Sequence, residues 1–100
     1  MKKPKSITII GRRWFQRLYG NTYYSLLIIV DGKEVHKIPF DYGYGSMYEH
    51  TATVWLEANG YLPGIQHNKH GGLQPLWQHC RERGIVLTSQ AIDVARKRDL

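Results

Sequence analysis

The stretch TYYSLLIIVDGKEVHKIPF (residues 22–40) decides the fold, because it holds two strand-forming segments joined by Asp31-Gly32. Asp-Gly is favoured in type I′ turns, whose backbone twist suits a two-residue hairpin loop. The segment before this turn is the strongest strand signal in the chain, and residues 33–40 are predicted to return beside it. Pro39 lacks the N–H that a ladder needs, so we expect the returning strand to lie at a sheet edge or to end there.

A third strand is predicted upstream of this hairpin. Residues 6–10 are apolar and β-branched, Gly11 is expected to bend or bulge the strand, and residues 12–19 continue it. Gly20-Asn21 is a two-residue turn signal that leads into the next strand. The sequence therefore predicts a three-stranded antiparallel meander.

Both faces of the middle strand are apolar, with Tyr24, Leu26, Ile28 and Val30 on one side and Tyr23, Leu27 and Ile29 on the other. A sheet with two apolar faces needs cover on both. We expect helices on one face. The C-terminal half of the chain or a second copy would cover part of the other, which makes a homodimer an open alternative.

Two or three helices follow the meander. Ser46 and Glu49 form a capping-box pattern before a helix over residues 47–59, and Gly60 is suited to end it. The helical spacing predicts that its buried side consists of Met47, Thr51, Val54, Trp55 and Ala58.

The second predicted helix has Pro75 in its first turn and Gly84 at its end, and it turns Leu73, Leu76, Trp77 and Cys80 to one side. Residues 85–87 are extended and are a possible short fourth strand. Thr88 or Ser89 is predicted to cap a last helix that turns Ile92 and Ala95 inward and ends in cations.

The predicted fold class is therefore α+β: a three-stranded antiparallel β-meander, with that short fourth strand as an option, packed with two to three α-helices. The length fits one domain over residues 1–100, with residues 1–5 as a flexible basic N-terminus.

The formal charge of +6 is unevenly distributed. Residues 1–20 contain no acid, the middle of the chain is acidic, and the C-terminal part is basic again. The electrostatic field of such an uneven charge distribution favours polyanionic partners, and the net positive charge argues against a mimic of DNA. Cys80 is the only cysteine, which excludes an internal disulfide and fits a reducing cytosol. No stretch approaches the roughly 20 apolar residues that span a bilayer, so no membrane association is expected.

The segment GRRWFQRLY (11–19) alternates cations with rings. In a strand, Arg13, Phe15, Arg17 and Tyr19 would share one face, where rings stack on bases and guanidinium groups pair with phosphates. In the alternative interpretation, Trp14 and Leu18 fill the core while the arginines are solvated or pair with Asp31, Glu34 and Asp41. The predicted nucleic-acid or partner surface comprises Lys2, Lys3, Lys5, Arg12, Arg13, Phe15, Arg17, Tyr19, Arg96, Lys97 and Arg98.

A second candidate is the loop with Tyr42, Tyr44 and Tyr48 around two glycines before a helix N-terminus, where a phosphate or base would bind. It matches neither a Walker loop nor the G-x-G-x-x-G spacing. The alternative is a flexible connection with partly buried tyrosines.

His67, His70 and Cys80 are residue types that bind zinc, but their spacing matches no finger. His79 precedes Cys80 on the predicted helix, about 100° away around its axis, so it can neither share a metal with it easily nor activate it as a nucleophile. We therefore expect no metal, no cofactor and no enzymatic activity. Residues 74–98 have the outline of a helix-turn-helix, although the segment 84–88 is longer than the usual turn.

The pieces GRRWFQR, YGNTYYS and YGYG resemble a group of small proteins encoded in phage and prophage genomes, and the resemblance covers about residues 7–62. It implies a small accessory protein of the bacterial cytoplasm that acts against or through host machinery, and it assigns no site residue. Together with the residues, it predicts a non-catalytic protein that binds nucleic acid or a host nucleoprotein complex. The alternative is a protein–protein inhibitor of a host defence nuclease or its complex, of the anti-CRISPR or anti-restriction type.

Overall fold

Four strands and two α-helices make up the fold in this computed structural model, which describes residues 4–43, 47–67 and 72–100. The chain is α+β, with a mixed sheet in the order β3-β2-β1-β4. The elements are β1 (Ser6–Gln16), β2 (Asn21–Val30), β3 (Lys33–Tyr42), α1 (Met47–Ala58), α2 (Leu76–Arg83), β4 (Val86–Val94) and a 3₁₀ turn η1 (Lys97–Asp99).

The three predicted strands pair as expected, but they form part of a four-stranded mixed sheet and not a three-stranded one. β1 pairs antiparallel with β2, and β2 pairs antiparallel with β3. Asp31 and Gly32 have φ values of 51° and 81°, the positive values that a type I′ turn requires. The Asp31 carboxylate also accepts the backbone N–H groups of Lys5 and Ser6 at 2.8 and 2.9 Å, which fixes the start of β1 to this turn. Pro39 lies on β3, an edge strand, as predicted.

The C-terminal segment differs from the prediction. β4 runs for nine residues parallel to β1, from the pair Ser6–Val86 to the pair Trp14–Val94. The predicted last helix, and with it the helix-turn-helix over residues 74–98, is therefore wrong. A helix as short as the predicted one is only marginally stable without tertiary contacts. The β-branched residues at alternate positions of this segment favour a strand, and β1 supplies the backbone hydrogen bonds that a strand needs.

The core lies between the sheet and the two α-helices. One face of β1 and β2 supplies most of it, which confirms the predicted apolar face of β2. Burying each of these side chains stabilises the fold by roughly 1.5–3 kcal/mol. The sheet contributes Ile7, Ile9, Tyr24, Leu26, Ile28 and Val30, and the helices contribute Tyr48, Ala52, Leu56, Leu76 and Cys80.

The buried side of α1 is displaced from the predicted one. Met47 and Val54 are each 45% exposed, whereas Tyr48 and Leu56 are buried. Trp55 is only half-buried, and the fully buried positions are Tyr48, Ala52, Thr53 and Leu56. The predicted capping residue, Ser46, lies outside the described residues.

Gly11 explains this displacement. A Cβ atom there would lie 2.6 Å from Cγ of Tyr48, so only glycine leaves room for the tyrosine ring on β1. β1 passes Gly11 without any shift in register against β2 or β4. The predicted bend or bulge is therefore wrong, and the glycine allows a close approach between helix and sheet.

The turn between β1 and β2 is longer than predicted. Gln16 pairs with Asn21, so the loop comprises residues 17–20, and the Gly20 N–H bonds to the Gln16 carbonyl at 2.8 Å. Arg17 and Tyr19 therefore belong to a turn and not to a strand face, contrary to the prediction.

α2 ends as predicted but begins later than predicted. Gly84 ends it with a left-handed φ of 68°, whereas Leu73 and Pro75, predicted within the helix, precede its first residue, Leu76. Its buried residues are Leu76, His79 and Cys80, while Trp77, predicted on the buried side, is 55% exposed. None of the helices in the described ranges combines the length and apolar character needed to cross a bilayer.

Candidate nucleic-acid interface

The sheet has one side that neither α-helix covers, which we call the open face. Ile7, Ile9 and Gly11 point towards the helices, so alternate residues of β1 point the other way. The register carries this face across all four strands. Its members are Thr8, Ile10, Arg12, Trp14, Gln16, Asn21, Tyr23, Ser25, Leu27, Ile29, Glu34, Lys37, Phe40, Tyr42, Val86, Thr88, Gln90, Ile92 and Val94.

Three rings from neighbouring strands stack on one another on the open face, and we call them the aromatic row. Trp14 lies 5.7 Å from Tyr23 between ring centroids, and Tyr23 lies 4.8 Å from Phe40. Tyr42 meets Tyr23 edge-on at 5.6 Å. Rings that stack across strands stand upright on the sheet, so the middle of the row presents ring edges. Flat ring surfaces are offered only at its two ends.

At one end of the row, a cation covers the ring of Phe40. The Lys97 Nζ atom lies 4.8 Å from the centroid of that ring. Such an exposed cation–π contact stabilises by about 0.5–1 kcal/mol. It brings Lys97, predicted as part of the binding surface at the end of a helix, to the strand at the opposite edge of the sheet.

At the other end of the row, Trp14 borders a shallow depression. Tyr23 covers Trp14 from the side of β2, and Val94 is its neighbour on β4. The depression, which we call the terminal depression, is lined by Trp14, Phe15, Arg17, Val94 and Ala95. Its lining therefore includes both an aromatic residue and an arginine, the residue types that hold a base and its phosphate.

Arg12 and Arg13, both predicted on the binding surface, point to opposite sides of the sheet. Arg13 points to the helix side, where its Nε atom donates to the Asp93 carboxylate at 2.9 Å. This acid is none of those considered as partners. Arg12 is exposed on the open face, two positions from Trp14.

The alternative in which Trp14 and Leu18 fill the core is not what the structure shows. Leu18 is 80% exposed, and Trp14 belongs to the aromatic row. Phe15 and Tyr19 are exposed as well, at 55% and 71%, so no helix seals them. Lys5 is exposed, while the predicted Lys2 and Lys3 lie outside the described residues.

The three tyrosines of the predicted ligand loop do not come together. Tyr42 is on the open face, and Tyr48 is buried on the opposite side of the sheet against Gly11. Tyr48 also donates to Glu49 at 3.2 Å. This separation contradicts a shared site for Tyr42 and Tyr48. Tyr44 lies outside the described residues.

The zinc-type residues are also dispersed. His67 is exposed in a loop that pairs with Leu73, whereas Cys80 is 1% exposed in the core. Burial raises the pKa of the Cys80 thiol to about 11, which disfavours the thiolate that zinc or nucleophilic chemistry needs. In the described part of the chain, no three His, Cys, Asp or Glu residues are placed to hold a metal ion. His70 lies outside it.

Comparison of the chain with protein-family models, with curated proteins and with solved structures gave no match.

Proposed function

We propose that this chain is a non-catalytic accessory protein that binds nucleic acid, in single-stranded form, through the open face. The observation that supports this most is the terminal depression, which Trp14 and Arg17 line together. Arg12 and Lys97 add cations along the same aromatic row. An unpaired base would stack on Trp14 while its phosphate pairs with Arg17.

Stacking and charge contribute differently to such binding. Each stacked base adds about 1–3 kcal/mol and tolerates any base, because every base has a π-face. Each neutralised phosphate of a single strand adds a slope of about 0.7 in the logarithmic dependence of affinity on salt. A duplex keeps its bases stacked on one another, so it would gain from the cations but not from Trp14.

The two ends of the aromatic row provide two stacking positions. A base at the Phe40 end must displace Lys97, whose ammonium group is then free to pair with the neighbouring phosphate. The contact that Lys97 makes is weak, so this exchange costs little.

Fluorescence anisotropy with a labelled oligothymidine at low salt tests the proposal. Trp14→Ala should weaken binding by about 5- to 150-fold, the equivalent of one stacked base. Trp77→Ala is the matched control, because Trp77 is exposed on α2 on the opposite side of the sheet. Absence of binding by the unmodified chain, or equal losses for the two tryptophan variants, would contradict the proposal.

The tip of the β1–β2 hairpin supports a second candidate, a protein–protein inhibitor of a host defence nuclease or its complex. Leu18 and Tyr19 are exposed there beside Arg17, and Tyr and Arg are frequent hot-spot residues of protein interfaces. A pull-down from bacterial lysate treated with nuclease separates the two candidates. A stoichiometric protein partner that survives the treatment and is lost with Leu18→Ser supports inhibition.

A further inference from the structure

The two edges of the sheet differ in how well they are protected against pairing with another strand. β3 carries Pro39, and its register against β2 shifts twice. It also carries several charged side chains, which protect an edge in the same way as proline and bulges. These are Lys33, Glu34, Lys37 and Asp41.

β4, at the other edge, has none of these protections. It is nine residues long and contains no proline, and its register against β1 is continuous. Its one charged residue, Asp93, already pairs with Arg13. Val86 and Ile92 are 65% and 41% exposed. Such an edge is a template for a further strand.

The backbone groups that face outward can be assigned from one hydrogen bond. The Val86 N–H donates to the Lys5 carbonyl, so Val86 and every second residue after it face β1. The N–H groups of the odd-numbered residues therefore point away from the sheet. In the described ranges, β1 is the only strand beside β4. The outward residues are Leu87, Ser89, Ala91 and Asp93.

We propose that β4 pairs antiparallel with β4 of a second copy of this chain, about a two-fold axis near Gln90. The outward residues then pair as Leu87 with the second copy's Asp93 and Ser89 with its Ala91, which forms about eight backbone hydrogen bonds. No like charges meet along the seam, because Asp93 is the strand's only charged residue.

The side chains on the open face are complementary in the same register. Val86 lies opposite Val94 of the second copy, and Thr88 lies opposite its Ile92, so β-branched residues meet across the seam. This burial covers the apolar surface that Val86 and Ile92 expose in one chain. The dimer is one continuous eight-stranded sheet, with both pairs of helices on one side and both open faces on the other.

Sedimentation equilibrium over micromolar to millimolar concentrations tests the proposal with Ala91→Pro. Proline at an outward N–H removes dimer hydrogen bonds and leaves those to β1 intact. The unmodified chain should sediment as a dimer, and Ala91→Pro should weaken association by at least about tenfold. Ala91→Val keeps the N–H and suits a strand, so it should remain dimeric. Circular dichroism confirms that each variant is folded.

Crosslinking provides a second test that does not depend on a disruptive change. Gln90 faces its own copy across the axis as a non-hydrogen-bonded pair, where Cβ atoms are about 4.5–5.5 Å apart. Gln90→Cys should therefore form a disulfide-linked dimer on mild oxidation. Lys37→Cys, on the protected edge, should not, and the buried Cys80 should stay unreacted.

A monomer at every concentration, or a dimer that Ala91→Pro leaves unchanged, would overturn this proposal. Its outcome is separable from that of the proposed function, because the terminal depression lies within one chain. A monomeric chain that binds oligothymidine would refute only the dimer. A dimer that does not bind would refute only the nucleic-acid proposal.

Discussion

Gly11→Ala is expected to destabilise the fold, although alanine suits an ordinary strand better than glycine does. The added methyl group would lie 2.6 and 2.7 Å from Cγ and Cδ2 of Tyr48, closer than real Cβ atoms approach other carbons. The tyrosine ring must move. Because Tyr48 is 6% exposed in the core, its movement disturbs packing on both sides of the contact.

The size of this loss follows from three contributions. Overpacking of a core costs about 1–3 kcal/mol. Moving the ring also weakens the hydroxyl contacts of Tyr48 with Glu49 and Ser89 at 3.2 and 3.4 Å, which at such lengths contribute at most about 0.5–1 kcal/mol each. Alanine loses less backbone entropy on folding than glycine does, which offsets about 0.5–1 kcal/mol of this loss. The net loss is about 1–3 kcal/mol, and each kcal/mol lowers Tm by about 4–8 °C.

Guanidinium denaturation of a double-mutant cycle measures this contact. Tyr48→Ala alone should cost about 3–5 kcal/mol by analogy with other large aromatic truncations. In that background Gly11→Ala should be neutral or stabilising, since the space above Gly11 is empty. If Tyr48→Ala does not fold, Tyr48→Leu serves the same purpose. Equal losses from Gly11→Ala in both backgrounds, or no loss in the unmodified chain, would refute the reasoning.

Three further outcomes are expected from the packing and the charges. Leu56→Ala should cost about 2–5 kcal/mol in denaturation experiments, more than Trp55→Ala, because Leu56 is fully buried and Trp55 only half-buried. Arg13→Ala should lower stability by no more than about 1 kcal/mol, since its ion pair with Asp93 is exposed, and added salt should reduce the difference further. Burial raises the pKa of the Cys80 thiol from 9.0 to about 11, so the folded chain keeps a proton that the unfolded chain loses first. The contribution of the protonated thiol to folding stability is complete below pH 9 and is lost as the pH rises towards 11. Thermal melts across this range should show that loss for the unmodified chain, and Cys80→Ala should lack the part that comes from the thiol.

The sequence predicted the meander because its signals are local. Asp31-Gly32 defines a turn by backbone chemistry, and the alternation over residues 22–30 defines which side chains are buried. The positions of Pro39 and Gly84 followed from the same local rules.

β4 could not be predicted in this way. Its partner is β1, and the pair Ser6–Val86 joins residues far apart in sequence, so nothing near Thr88 indicates a parallel ladder. Thr88 and Ser89 match a helix N-cap equally well. The displaced face of α1 has a similar cause, since the fit of Tyr48 on Gly11 is a tertiary contact that helical periodicity does not record.

The candidate site was predicted in its residue types but not in its arrangement. Counting residues 17–19 as strand puts Arg17 on the same face as Arg13, although Arg17 lies in the turn that follows β1. Alternation puts Arg12 and Trp14 together on one face, whereas the stacking face is predicted on the other side, with Arg13 and Phe15. The contact of Lys97 with Phe40 has no sequence signal, because it depends on how the segment after β4 crosses the sheet.

Because β1 pairs with β4, the sheet can be completed only late in the synthesis of the chain. A ribosome that has made residues 1–42 has already supplied every strand of the meander, but β1 then has one unpaired edge until the 43 residues between β3 and β4 have been made. For that interval the nascent chain exposes the N–H and C=O groups along one edge of β1, and an unpaired edge makes a folding chain prone to aggregation. Slow codons placed anywhere from the end of β3 to the end of β4 would lengthen this exposure and lower the yield of folded chain, whereas the same codons within β1 would not, because the interval begins only after β3 has been made.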